Sequence, residues 1–182
     1  MKKILLSLLL LSSAGFAFSQ TYITRNGFIS FSSHTAMEDV YATNNEVASV
    51  ISASTGEFDF KVAIKSFHFK KTAMEEHFNN SSYMDSEKYP RAGFKGKITN
   101  LSAVDFTKDG TYKVSVQGDL NIRDVTKNVT IEGTIVISGG VVSVESNFSV
   151  ARKEYHVIGE SFVQSKISDQ IQVIVKCKYD KR

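Results

Sequence analysis

The sequence predicts an all-β fold: one antiparallel sheet of about eight strands that closes into a barrel and carries a short helical insert. Three observations predict it. Apolar and polar residues alternate at period 2 through most of the chain, the mark of antiparallel strands with one dry face. Turn signals such as Asp109-Gly110 and Gly139-Gly140 keep the connections short. Only Thr72–Tyr89 exchanges alternation for helical spacing. A meander of this kind rids itself of exposed edges by closing.

Taken in order, a strand is expected near Tyr22–Ser33. The next is Glu57–Ser66, with Phe58, Phe60, Val62 and Ile64 inward and Asp59, Lys61 and Lys65 outward. In the insert, Thr72-x-x-Glu75 reads as a capping box, and Ala73, Met74, His77 and Phe78 share one helical side. Ser82-x-x-Asp85 suits a second short turn, and Pro90 returns the chain to extended geometry. A strand near Phe94–Val104 precedes Thr111–Ile122, where Tyr112, Val114, Val116, Gly118, Leu120 and Ile122 fall on one face. Val129–Ile137 and Val142–Val150 repeat the pattern across the polar corner Asn121–Asn128 and the Gly139-Gly140 turn. Further strands are expected around Tyr155–Ile158 and at Ile171–Tyr179. Cys177 lies in the last alternating run and reads as a small core residue.

The chain has 182 residues, 42% hydrophobic and 23% charged, which suits one compact domain and not a disordered one. A single cysteine excludes an internal disulfide and a cysteine-built zinc site. Met1-Lys2-Lys3 is a basic start, Ile4–Leu11 an apolar run, and Ala17-Phe18-Ser19 a small-residue cleavage pattern. Residues 1–19 are therefore expected to be a signal peptide, and 20–182 the mature barrel domain of an exported protein. The apolar run is too short to span a bilayer, and the mature chain has no other candidate span. Removing Lys2 and Lys3 leaves 20 basic residues against 19 acidic, so no electrostatic footprint for nucleic acid is expected.

An eight-stranded barrel has an interior just wide enough for side chains or one slender ligand. Gly96, Gly118, Gly133 and Ser146 are small inward residues; they leave room along the axis, or they mark strand bends. An apolar bore selects a long apolar ligand, since each buried methylene contributes ~0.8 kcal/mol. Catalysis has no anchor in the sequence. His34, His68, His77 and His156 form no metal-binding pair pattern, and no G-x-S-x-G elbow occurs. Glu38-Asp39 and Glu75-Glu76 read as solvated charges. His68 shares the inward parity of its strand and reads as a satisfied imidazole at the barrel mouth. No catalytic residue, metal or cofactor is expected.

Two ordered blocks carry a family resemblance. His77-Phe78, Tyr83-Met84, Lys88-Tyr89-Pro90 and Phe94 form the first, and Gly118-Asp119-Leu120-Asn121-Ile122-Arg123-Asp124-Val125-Thr126-Lys127-Asn128-Val129 the second. Together they resemble the YceI-like family, with a looser likeness at Phe31 and Gly56–Phe60. Asp124 stands where the family pattern usually has Gly, and Met74 where many members have a basic residue. The resemblance implies a lipocalin-like eight-stranded antiparallel barrel. It also implies an exported, mostly periplasmic protein of a family in which some members hold a polyisoprenoid chain.

The expected function is thus non-enzymatic binding of a polyisoprenoid or other long-chain amphiphile, as carrier or sequestering protein. The periplasm is the expected location, with secretion as the alternative. Entry is expected at the end covered by the insert, where Phe67, Phe69, Met74, His77, Phe78, Tyr83, Met84, Tyr89 and Phe94 form the mouth. Phe60, Val62, Ile64, Tyr112, Val114, Val116, Leu120, Ile131, Ile135, Val144 and Phe148 line the tunnel. Tyr hydroxyls and His77 are the expected head-group partners. The competing reading is a filled barrel that acts through its outer face or a homodimer contact. A third is an enzyme using His68 or His77 on a bound lipid.

Overall fold

The computed structural model describes residues 20–182, in which the alternating segments pair with one another as strands. The strands are β1 (Thr21–His34), β2 (Asp39–Ser52), β3 (Glu57–Ala63), β4 (His68–Phe69), β5 (Arg91–Ile98), β6 (Gly110–Ile122), β7 (Val125–Ser138), β8 (Val141–Ala151) and β9 (Gln170–Lys181). Among the described residues they form one sheet in the order β1-β9-β8-β7-β6-β5-β3-β2, and β1 pairs again with β2. Eight antiparallel strands therefore close into a barrel, as the alternation predicts. The predicted signal segment, 1–19, lies outside the described residues.

The short β4 explains a local departure. Both β3 and β4 pair with the same side of β2, so they are two pieces of one interrupted strand. The interruption is a 3₁₀ turn at Ile64–Ser66. It flips the parity: Ile64 points in, but so do Phe67 and Phe69, and His68 is left exposed. The inward assignment of His68 is thus corrected. Asn44 of β2 spans the gap: its side chain, wholly buried, donates to the Ala63 carbonyl at 3.0 Å and accepts from the Glu46 amide at 2.7 Å.

That same Asn44 is part of why β2 escapes the sequence reading. Its buried positions run Ala42, Asn44, then Val47, Ser49 and Ile51, so the parity switches in mid-strand. The switch matches irregular register between Thr24, Gly27 and Ile29 on β1 and Ser49, Val47 and Asn44 on β2, a bulge in each strand. No single period-2 pattern spans such a strand. The opposite correction applies at Tyr155–Ile158, expected as a strand. Arg152–Tyr155 is a 3₁₀ turn ended by His156 at φ 57°, and Tyr155 is buried from that turn. Strand β5 stops at Ile98, with a 3₁₀ turn at Leu101–Ala103, rather than continuing to Val104.

The insert contains an α-helix, α1 (Thr72–Asn79). Its N-cap is Lys71, not Thr72, and no capping box forms. Glu75 instead accepts from the Phe69 amide at 3.2 Å, tying the helix to the chain that enters it. The Gly139-Gly140 hairpin forms as predicted, with both glycines at positive φ in the two-residue link between β7 and β8.

Candidate functional site

A cavity of about 360 Å³ lies inside the barrel. Its walls come from the inward positions of the strands, because closure turns each dry face toward the axis. The small residues divide into two kinds. Gly133 and Ser146 face each other across β7 and β8 and border the cavity. Gly96 and Gly118 also pair, but the space is taken by backbone: a Cβ on Gly118 would lie 2.2 Å from the Lys95 carbonyl oxygen. Those two permit close approach of β5 and β6 and leave the bore no wider.

Most of the expected lining residues border this cavity. Phe60, Val62 and Ile64 come from β3 and its turn, Phe94 from β5, and Val114, Val116 and Leu120 from β6. Ile131 and Ile135 come from β7, and Val144 and Phe148 from β8. Phe67, Phe69, Met74, His77, Phe78, Tyr83 and Met84 border it at the end covered by the insert. Exposed His77 and Lys166 border it too, so the cavity reaches solvent there.

Two expected lining residues lie elsewhere. Tyr112 has inward parity but sits near the opposite end, where its hydroxyl donates to the Lys108 carbonyl at 3.0 Å. Tyr89 packs outside the cavity, with the Lys88 ammonium 5.1 Å and the Arg123 guanidinium 5.6 Å from its ring centre. Ala73, placed on the inner side of α1 by helical spacing, is exposed.

The sequence reading also missed part of the wall. Ile29 and Phe31 of β1 and Ile171, Val173 and Val175 of β9 border the cavity. Their alternation is legible in the sequence, and only closure of β9 on β1 places them opposite β3–β6. Phe31 is central to the mouth. Its ring stacks on Phe78 at 5.3 Å and meets Phe67 edge-on at 5.2 Å; Phe69 lies 5.1 Å from Phe78. One helix residue is thereby held by three barrel aromatics.

The polar groups at this end are tied down by the fold. Arg152 is 3% exposed and borders the cavity. Its guanidinium donates to the carbonyls of Ser168, Val157 and Ile158 at 3.0, 2.9 and 2.6 Å and to the Asp169 carboxylate at 3.1 Å. It thus organises residues 152–169 as a second cover beside α1. Arg123, in the two-residue link between β6 and β7, donates to the carbonyls of Tyr83 and His156 and clamps both covers together. Beside it, Asp124 lies 3.1 Å from His156 Nδ1, and that hydrogen bond holds the Asp124 carboxyl below the usual carboxylate range. Burial, with Glu160 nearby, pushes the Tyr83 hydroxyl up, so it stays a neutral donor. Glu38, His77, Glu160 and Lys166 complete the polar rim.

Cys177 is buried, and desolvation raises its thiol to about 11, so it carries no thiolate at neutral pH. Among the described residues there is no cluster of His, Cys, Asp and Glu suited to a metal ion. No helix of the described residues is long and apolar enough to cross a membrane.

The model of the YceI-like domain matches residues 20–179. The chain belongs to the YceI-like family. Solved structures share this YceI-like barrel. A polyisoprenoid binding domain from Saccharophagus degradans, implicated in plant cell wall breakdown, matches at a TM-score of 0.76 and 12% identity, over 89% of this chain and 98% of that one. Burkholderia cenocepacia BcnA matches at 0.66 and 16%, over 85% and 96%. The Campylobacter jejuni YCEI protein matches at 0.61 and 16%, over the whole of both chains. At these identities the likeness is one of fold. No curated protein matches the YceI-like chain by sequence.

Proposed function

We propose that this protein is an exported, non-enzymatic lipid-binding protein that holds a polyisoprenoid or other long-chain amphiphile in the barrel, as a carrier or sequestering protein. The observation that carries this reading is the cavity, apolar along its walls and open beside α1. An apolar cavity of this kind favours hydrocarbon over water, because its walls offer water too few hydrogen-bond partners. Family membership supports the reading, as does a structural relative described as a polyisoprenoid binding domain. The rim residues His77, Tyr83 and Lys166 are suited to a polar head group, with Lys166 supplying a cation where Met74 does not. The basic-then-apolar start of the chain supports export to the periplasm or beyond.

Native mass spectrometry of the protein purified from its own cell tests this. A co-purified lipid with a long hydrocarbon chain is the expected result. Protein that arrives empty and also takes up no long-chain isoprenoid alcohol overturns it. The filled-barrel alternative requires packing along the whole axis, and the cavity opposes it.

A further inference from the structure

We propose that the barrel is a length gauge: it encloses about fourteen carbons of a chain and no more, because its end away from α1 is filled by side chains. This rests on the lipid-binding reading and adds the size of the chain that fits. An apolar cavity of roughly 150 Å³ takes one benzene, or about 25 Å³ per carbon. At that ratio the 360 Å³ bore holds about fourteen carbons, close to a tetradecyl chain or three isoprene units.

The floor is built from buried residues that do not border the cavity. Val144 and Ile135 pair across β7 and β8 and both line it; two positions on, Val142 and Ile137 pair and neither does. Beside Val142 stands Tyr179, whose hydroxyl donates to Ser49 Oγ at 2.8 Å. Tyr22 stacks on Phe106 at 5.4 Å. The Cys177 sulfur fills the space over Gly27, where a Cβ would come within 2.5 Å of it. Deepening the bore would strand the Tyr179 hydroxyl in a dry interior, so the floor resists an advancing chain end. A longer chain must leave its remainder in the polar rim, where added methylenes stay wet and gain little.

The test is displacement of a fluorescent alkyl probe from delipidated protein by primary alcohols of roughly eight to twenty carbons, with farnesol and geranylgeraniol. Affinity is expected to rise about fourfold per methylene up to about fourteen carbons, then to level within about twofold. Val144→Phe adds about four side-chain carbons to the bore and should move the break to about ten. Val116→Phe, from β6, should move it likewise. Affinity that keeps climbing to twenty carbons, or a break that stays put in folded variants, overturns the gauge and leaves the lipid-binding reading standing. No binding at any length overturns both.

Discussion

Arg152 brings a full charge to a position 3% exposed, which an interior tolerates only where acceptors surround it. Here three carbonyls and a carboxylate do so within 3.1 Å. Arg152→Met keeps the aliphatic stem but leaves those carbonyls unpaired, so chemical denaturation should show a loss of roughly 2–3 kcal/mol. Its sign in the sequence is a cation directly after a strand, where the alternation ends. Without the fold, nothing says which carbonyls will converge on it. Acid should act in part through the carboxylates of Asp169 and Asp124. Asp169 is held below the usual range by its hydrogen bond to Lys153 and by nearby Arg152, and Asp124 by His156. Lowered folded-state values mean stabilisation that is present above about pH 4, the unfolded carboxylate range, and lost as pH falls through the folded-state values. Melting temperature should therefore drop between about pH 5 and pH 2, and the Asp124→Asn/Asp169→Asn double variant should flatten part of that slope. Asp124 thus has a physical role of its own in the link between β6 and β7, as the carboxylate partner of His156.

At the scale of the element, α1 is a short helix with little to hold it but its contacts. None of its residues is fully buried, and Phe78 supplies its anchor among Phe31, Phe67 and Phe69. Helices this short are marginal alone, so packing decides their stability. Phe78→Ala removes the stacked and tilted ring pairs, worth roughly 0.5–1.5 kcal/mol each. Release of a bound alkyl probe, followed by stopped-flow fluorescence, should accelerate by about tenfold. Tyr112→Phe, near the closed end, should leave the rate unchanged. The insert was legible from Met74, His77 and Phe78 at helical spacing, and the strands β6–β9 from uninterrupted alternation. The exceptions in β1–β4 share one cause. Asn44 and the bulges in β1 and β2, and the 3₁₀ turn at Ile64–Ser66, each shift parity within a strand. Period-2 reasoning follows a face only while parity holds.

At the scale of the molecule, a barrel that keeps about 360 Å³ open gives up dispersion contacts that a filled core would make. A chain bound there would restore them, so binding would stabilise the fold. At a hundredfold excess over Kd the folded state should gain about 2.7 kcal/mol, or roughly 5–10 °C in Tm. Differential scanning calorimetry of delipidated and lipid-loaded protein checks this; coincident transitions would break the link between cavity and ligand.

Alternation, turn chemistry and two short motifs were enough to place this chain among closed antiparallel barrels and to name much of the inner wall, because those signals are local and survive in one dimension. Whether that wall surrounds space or side chains was a question of how opposite strands meet. Gly133 and Gly118 read alike along the chain, yet one borders the bore and the other is filled by the Lys95 backbone. The difference lies in strand-to-strand approach, a distance between residues far apart in the chain, which no single run of letters records.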